Sequence, residues 1–232
     1  MALPFHTLDV FTNKRFAGNP LAVVLDAGGL NDRHMQSAAR EFNLSETVFV
    51  LPPDDPVNTA KVRIFMPTGE LPFAGHPTIG TAVLLASLSS TELSEIRLEE
   101  RVGLVPVSIA VVNGHWHGTL TGAVMPSPVG IAVDDNAMAA AIGLRPEEIG
   151  FEGHRPGMFD AGVPYLFIPV RDLQALGNTR VVEPHWSRMT AACGTDGAYI
   201  YTAGNGDVNW RARLYAPEAG IPEDPATGSA VA

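Results

Sequence analysis

Arg63-Ile64-Phe65-Met66-Pro67, Leu71-Pro72 and Phe73-Ala74-Gly75-His76-Pro77 are echoed by Arg213-Leu214-Tyr215-Ala216-Pro217, Ile221-Pro222 and Glu223-Asp224-Pro225-Ala226-Thr227-Gly228-Ser229. Arg63 and Arg213, Pro67 and Pro217, and Pro72 and Pro222 keep one offset of 150 positions. Each copy reads as an apolar strand, a proline-punctuated loop, a glycine turn and a small-residue helix. A duplicated lobe of this kind is expected to bring two helix starts to one cleft. A helix start carries N–H groups without intrahelical partners and the positive end of the dipole, so it holds anions. The expected ligand is a small carboxylate.

Outward from the repeat, the pattern gives a coarse map. Phe5 to Phe11 and Leu21 to Leu25 read as strands around the turn Ala17-Gly18-Asn19-Pro20. Asn31 or Asp32 caps a helix through Phe42 with Met35, Ala38, Ala39 and Phe42 on one face. Thr47 to Leu51 and Lys61 to Met66 read as strands. Thr78 to Leu88 is apolar nearly all round and predicts a buried helix. Val105 to Val112 and His115 to Leu120 flank Asn113-Gly114, a hairpin signal. Thr121 to Gly130 holds two prolines and two glycines, which places the lobe boundary there: residues 1–124 and 125–232. After it, Asp134 or Asp135 caps a helix that Gly143 ends. Tyr165 to Val170 reads as a strand. Ala198 to Thr202 and Val208 to Tyr215 form a second hairpin around Asn205-Gly206. A last helix opens at Gly228-Ser229-Ala230. If the second lobe copies the first, its central helix is truncated at Ala232.

The bulk numbers narrow the function. A chain of 232 residues, 46% hydrophobic, can form one large domain or two ordinary ones. Net charge is −10 with no block of like charges, which argues against nucleic acid and anionic membranes as partners. A lone cysteine, Cys193, permits no intrachain disulfide and points to a reducing, cytoplasmic setting. The N-terminus lacks the pattern of a secretory signal. Ile79 to Leu88, the longest apolar stretch, is far too short to span a bilayer.

The residues able to carry chemistry are few, and each has a plain alternative. Glu46, between a helix and a strand, reads either as a solvated turn residue or as a cleft carboxylate whose partial desolvation makes it a proton carrier. His76, after Gly75 at the helix start, either contacts substrate or simply caps the helix. Asp224 binds a substrate ammonium or hydroxyl, or is an ordinary capping aspartate. Gly228 and Ser229 supply N–H and hydroxyl donors, or only initiate a helix. Asn19 is favoured as a turn former. His115 and His117 share one strand face, but without a convincing third ligand they read as a surface pair, so no metal is expected. Cys193 reads as a buried structural thiol. No phosphate loop and no dinucleotide glycine pattern occurs, and no cofactor is expected.

At Phe16-Ala17-Gly18-Asn19-Pro20-Leu21-Ala22-Val23, Asn43-Leu44-Ser45-Glu46-Thr47, Leu71 to Ala82 and Glu223 to Ala230, the chain resembles the PhzF-like isomerase family of phenazine biosynthesis, within the diaminopimelate epimerase fold. The matching stretches span nearly the whole chain in the family's order. The resemblance implies an α+β fold of two pseudo-symmetric lobes, each a curled, mostly antiparallel sheet around a central helix, with the C-terminal lobe truncated. It implies an acid/base glutamate at Glu46 and substrate-binding positions at Gly75, His76, Asp224 and Ser229; Asn19 and Gly228 lie in the same matching stretches. It also implies a homodimer, the commonest closed oligomer. Related epimerases place one cysteine in each glycine turn; here Ala74 and Pro225 stand there. With one glutamate, moving a proton on a single face outranks two-base inversion. The expected activity is a cofactor-independent isomerisation of a small carboxylate. The alternatives are a racemase or epimerase of an amino or hydroxy acid, and a non-catalytic ligand-binding or interaction protein on the same fold.

Overall fold

The computed structural model describes residues 2–121, 125–161, 164–206 and 208–230. The architecture is α+β, in two compact units each built on a curled, mostly antiparallel sheet. The first unit runs to Thr121 and takes in Ala226–Ser229; the second follows it to Pro225 and includes Ala230. The boundary read between positions 124 and 125 abuts residues 122–124, which lie outside the described residues.

In the first unit β1 (Phe5–Val10), β2 (Asn19–Val24), α1 (Asp32–Phe42), β3 (Glu46–Leu51), β4 (Ala60–Phe65), β5 (Glu70–Leu71), α2 (Gly75–Leu88), β6 (Glu95–Glu100), β7 (Gly103–Val112) and β8 (His115–Leu120) follow one another. The strands lie in the order β1-β2-β3-β4-β6-β7-β8, with β5 on β4. The β2–β3 and β4–β6 pairs are parallel, crossed by α1 and α2; the other pairs are antiparallel. The Asn31 side chain caps α1 by accepting from His34 N, and Asn43 closes it at φ 52°. Met35 and Ala39 pack on Val24, Phe49 and Phe65. The other sheet face belongs to α2, whose residues Gly75 to Thr78, Gly80 to Ala82, Leu84 and Ala86 are buried. Val10, Leu21, Val48, Ile64, Ile96 and Val107 share that core with Ala82 and Leu84. A helix apolar all round fits this place, because sheet surrounds it.

The second unit orders β9 (Ser127–Val129), α3 (Asp135–Ile142), β10 (Gly157–Asp160), β11 (Pro164–Pro169), α4 (Leu173–Asn178), α5 (His185–Cys193), β12 (Ala198–Ala203), β13 (Trp210–Ala216) and β14 (Ile221–Asp224). Its sheet runs β14-β13-β12-β11-β10-β9, with one parallel pair, β11–β12. Leu166, Ile168, Ala198, Ile200 and Tyr215 meet Met138, Ile142, Leu176, Trp186 and Met189 in its core. Strand alternation turns Phe167, Tyr199 and Tyr201 to the opposite face, joined there by Trp210, with successive ring centroids 5.6, 6.3 and 5.9 Å apart.

The duplication extends to side chains. Arg63 grips Glu70 through two bonds of 2.7 Å, with its guanidinium carbon 5.1 Å from the Phe65 ring centre. Arg213 grips Glu223 at 2.8 and 2.7 Å, 5.0 Å from the Tyr215 ring. Each unit thus fastens the short strand after its proline loop with a bidentate, ring-stacked arginine.

Three expectations need correction. Asn19 is not a turn residue: it opens β2 fully buried, because β1 and β3 pair with this strand from both sides. The helix expected from Gly228 is a three-residue 3-10 turn, Gly228–Ala230, within the described residues. Cys193 is half-buried beside the second core rather than enclosed by it.

Candidate functional site

The site is assembled from chain segments far apart in sequence but all within the first unit. Parallel pairing sets Glu46 beside Leu21, so β2 and β3 begin at the same level of the sheet. Asn19 precedes Leu21 by two residues and points to the same side of the strand. His76 is the second residue of α2, whose first turn faces these strand starts. Exposures are 0% for Asn19, 8% for Glu46 and 4% for His76, so all three are withdrawn from bulk water.

Their contacts fix one proton. Asn19 Nδ2 donates to the Ala226 carbonyl at 2.8 Å. A carbonyl only accepts, so the atom facing it is the amide nitrogen. The same nitrogen lies 3.3 Å from His76 Nδ1. With His76 Nδ1 accepting from that nitrogen, a neutral imidazole carries its proton on Nε2. Nε2 is 3.4 Å from Glu46 Oε2. A buried carboxylate thus stands beside an N–H whose tautomer a third side chain dictates.

Backbone approach completes the arrangement. A Cβ built on Gly75 would lie 3.4 Å from Ser229 N and 3.6 Å from Gly228 C, so the two glycine turns meet here. A Cβ on Gly228 would come within 2.7 Å of Phe11 Cζ and 3.8 Å of His76 N. Among the described residues, only the Gly75 turn opens a long helix. The 14-residue α2 has an extended N-cap, Ala74, with no capping side chain.

The structure thus brings Asn19, Glu46, Gly75, His76, Gly228 and Ser229 together. Asp224 belongs to the second unit, where it ends β14, 8% exposed and opposite Leu214. His115 and His117 are exposed on β8, and no group of three metal-ligating side chains occurs among the described residues. No helix is long and apolar enough to cross a membrane among them. Sequence reasoning missed Phe11, which is 48% exposed, adopts φ 64°, and sets its ring edge toward His76 at 6.5 Å between centres. No local signal marks a phenylalanine in the left-handed region. It missed Glu100 as well, although a signal existed: Ile96, Leu98 and Glu100 share one face of β6, and that face is buried.

Residues 8–232 match the sequence profile of the phenazine biosynthesis-like proteins, PhzC–PhzF. The chain belongs to that family. It is 46% identical to an uncharacterized isomerase of Mesorhizobium japonicum, over 97% of this chain and 76% of that protein. It is 34% identical to the trans-2,3-dihydro-3-hydroxyanthranilate isomerase of Pseudomonas aeruginosa, over 96% of this chain and 75% of the relative. Among solved structures, a PhzF-family protein of Bacillus anthracis superimposes with a TM-score of 0.88 at 26% identity, covering all of this chain and 78% of its own. A hydroxyproline epimerase from Agrobacterium vitis reaches a TM-score of 0.53 at 16% identity, over 97% of this chain and 72% of its own, a likeness of fold alone. By this membership the protein is an isomerase of the PhzF type.

Proposed function

We propose that this PhzF-type isomerase moves a proton between carbons of a small, carboxylate-bearing substrate without a cofactor, with Glu46 as the acid/base. The observation that carries the reading is the buried Glu46–His76 pair, 3.4 Å apart, with the His76 proton held on the nitrogen facing Glu46. A carboxylate so placed takes a proton from carbon beside or conjugated to the substrate carboxylate and returns it elsewhere on the same face. His76 Nε2–H orients the carboxylate and supports whichever oxygen is charged. The N-terminal turn of α2, at the positive end of the helix dipole, receives the substrate carboxylate. A preorganised donor to developing charge is typically worth roughly 3–4 kcal/mol in the transition state.

We assign Asn19, Gly75, His76, Asp224, Gly228 and Ser229 to substrate binding. Positions 74 and 225 hold Ala and Pro, groups that cannot exchange protons, so one base on one face favours isomerisation over inversion. The Pseudomonas aeruginosa relative is named for a cyclic, unsaturated hydroxy amino acid. The half-exposed Phe11 ring beside His76 suits an unsaturated ring of that kind.

The test uses trans-2,3-dihydro-3-hydroxyanthranilate in deuterated water. The native protein is expected to exchange a ring C–H, and Glu46→Gln to slow that exchange by about 10²–10⁴-fold, the usual worth of a positioned acid or base. Equal exchange in both would remove Glu46 from the mechanism.

A further inference from the structure

Glu100 ends β6 at 9% exposure, with Oε1 2.6 Å from Thr78 Oγ1 on α2. Thr78 Oγ1 also lies 2.8 Å from the carbonyl oxygen of Ala74, which in addition accepts from Thr78 N at 3.2 Å. A threonine hydroxyl has one proton, and here two oxygens stand within its reach. If Glu100 is ionised, both are acceptors and only one is served. If Glu100 is neutral, its own O–H donates to Thr78 Oγ1, and Thr78 donates to Ala74 O. Only the neutral acid satisfies both short distances. Glu100 Oε2 is buried with no hydrogen-bond partner among the described residues, which a neutral carbonyl oxygen tolerates far better than a carboxylate.

The charged neighbours do not oppose this. Glu100 lines a cleft of about 740 Å³ in the first unit. Each cation there is held by another carboxylate: Lys61 by Asp54, Arg63 by Glu70 and Asp32, and Arg101 by Glu70. Glu99 turns to the Asp54 and Asp55 amides and to Asn58, and on β7 the residue opposite Glu100 is Gly103. From α2 the group facing it is the Thr78 hydroxyl. Burial pushes the Glu100 carboxyl up to about 7, against the lowering effect of the Thr78 hydrogen bond.

Ala74 is the N-cap of α2 and supplies no capping side chain, and the first turn it starts contains Gly75, the most permissive residue. We propose that Glu100 is a positioning residue for the proton-transfer site: as a neutral acid it holds Thr78, and through it the Ala74 carbonyl, so locking the turn that presents His76 to Glu46. This rests on the reading of Glu46 and His76 given above. When Glu100 ionises, Thr78 turns its proton to the carboxylate, Ala74 O loses one of its bonds, and the turn loosens.

The experiment is an NMR titration of the full chain from pH 5 to 9, following the Glu100 carboxyl carbon, the Ala74 carbonyl carbon and the Gly75 and His76 amides. In the native protein the Ala74 and Gly75 signals are expected to move with the midpoint of Glu100. The His76 imidazole and Glu46 carboxyl report their own midpoints and are followed beside it. In Glu100→Gln the shared movement should disappear, and in Thr78→Val the Gly75 signals should no longer follow Glu100. Ala74 and Gly75 signals that titrate in Glu100→Gln as in the native protein would overturn the proposal, because their charge sensor would then lie elsewhere. With trans-2,3-dihydro-3-hydroxyanthranilate as probe, loss of kcat on the basic side at unchanged KM should shift to higher pH in Glu100→Gln. The titration decides the proposal without turnover, so failure of the Glu46→Gln exchange test and failure of this one remain distinct.

Discussion

Asn19 sets the proton inventory of the site, and it does so by answering to a carbonyl. Ala226 O can only accept, so the Asn19 amide orientation is forced, and with it the His76 tautomer. Asn19→Ala removes a donor from both partners inside the protein. The expected loss is about 1–3 kcal/mol of stability in urea denaturation. The sharper readout is the imidazole ¹⁵N spectrum: the native protein should show protonated Nε2 and unprotonated Nδ1, and Asn19→Ala a mixture. An unchanged spectrum would mean that something other than Asn19 selects the tautomer. Glu46 and His76 stood out in the sequence because each borders a glycine or helix junction. Their separation of 30 positions gave no hint of 3.4 Å, and the asparagine that ties them read as a turn former.

Among the elements, two glycines show which effect wins when helix propensity and packing disagree. Alanine is about 1 kcal/mol better than glycine inside a helix. At Gly80 in α2, a Cβ would sit 2.7 Å from both Leu21 Cδ2 and Val10 Cγ2. Leu21 and Val10 are 0% and 5% exposed, so neither can move aside, and overpacking of this kind costs about 1–3 kcal/mol. Gly80→Ala should therefore destabilise. At Gly177 in α4 nothing lies within 4 Å of the built Cβ. Gly177→Ala should stabilise by up to about 1 kcal/mol. Denaturation midpoints that move in the same direction for both variants would contradict this account of α2 packing. Elements with a cap and a long pattern were legible: Asn31 and Asp134 cap where expected, and Asn113-Gly114 turns at φ 52° and 79°. The six-residue α4 and the nine-residue α5 were not, because each is too short for a face to repeat convincingly. Glu95–Glu100 hid as a strand because four of its six residues are charged, although Ile96 and Leu98 alternate.

Across the whole molecule, opposing titrations should give a stability maximum near pH 5. Asp32, Glu99, Glu148 and Asp172 are held below the usual carboxylate range, by hydrogen bonds from Arg63, from Asn58, from the Arg145 amide and from the Ala175 amide respectively. A depressed carboxyl adds stability that is present above its unfolded value and lost as pH falls through its folded one. Glu100 has the reverse sign. Raised from 4.5 to about 7, its contribution is intact below 4.5 and lost as pH rises through 7, by up to about 3 kcal/mol at 1.36 kcal/mol per unit. Glu100→Gln should flatten the decline between pH 5 and 8 in urea midpoints; a variant that declines as steeply as the native protein would place the effect on another group. The sequence by itself determined the duplication, because strand periodicity, proline loops and glycine turns are local properties that repeat with the residues encoding them. The resemblance carried by the same stretches named the family. Tertiary structure alone decided which polar groups lose their water. Asn19, Glu46, His76 and Glu100 are buried by strands and a helix far away in the chain, and it is desolvation beside a particular neighbour, not residue type, that shifts how readily an ordinary ionisable side chain gives up or takes a proton.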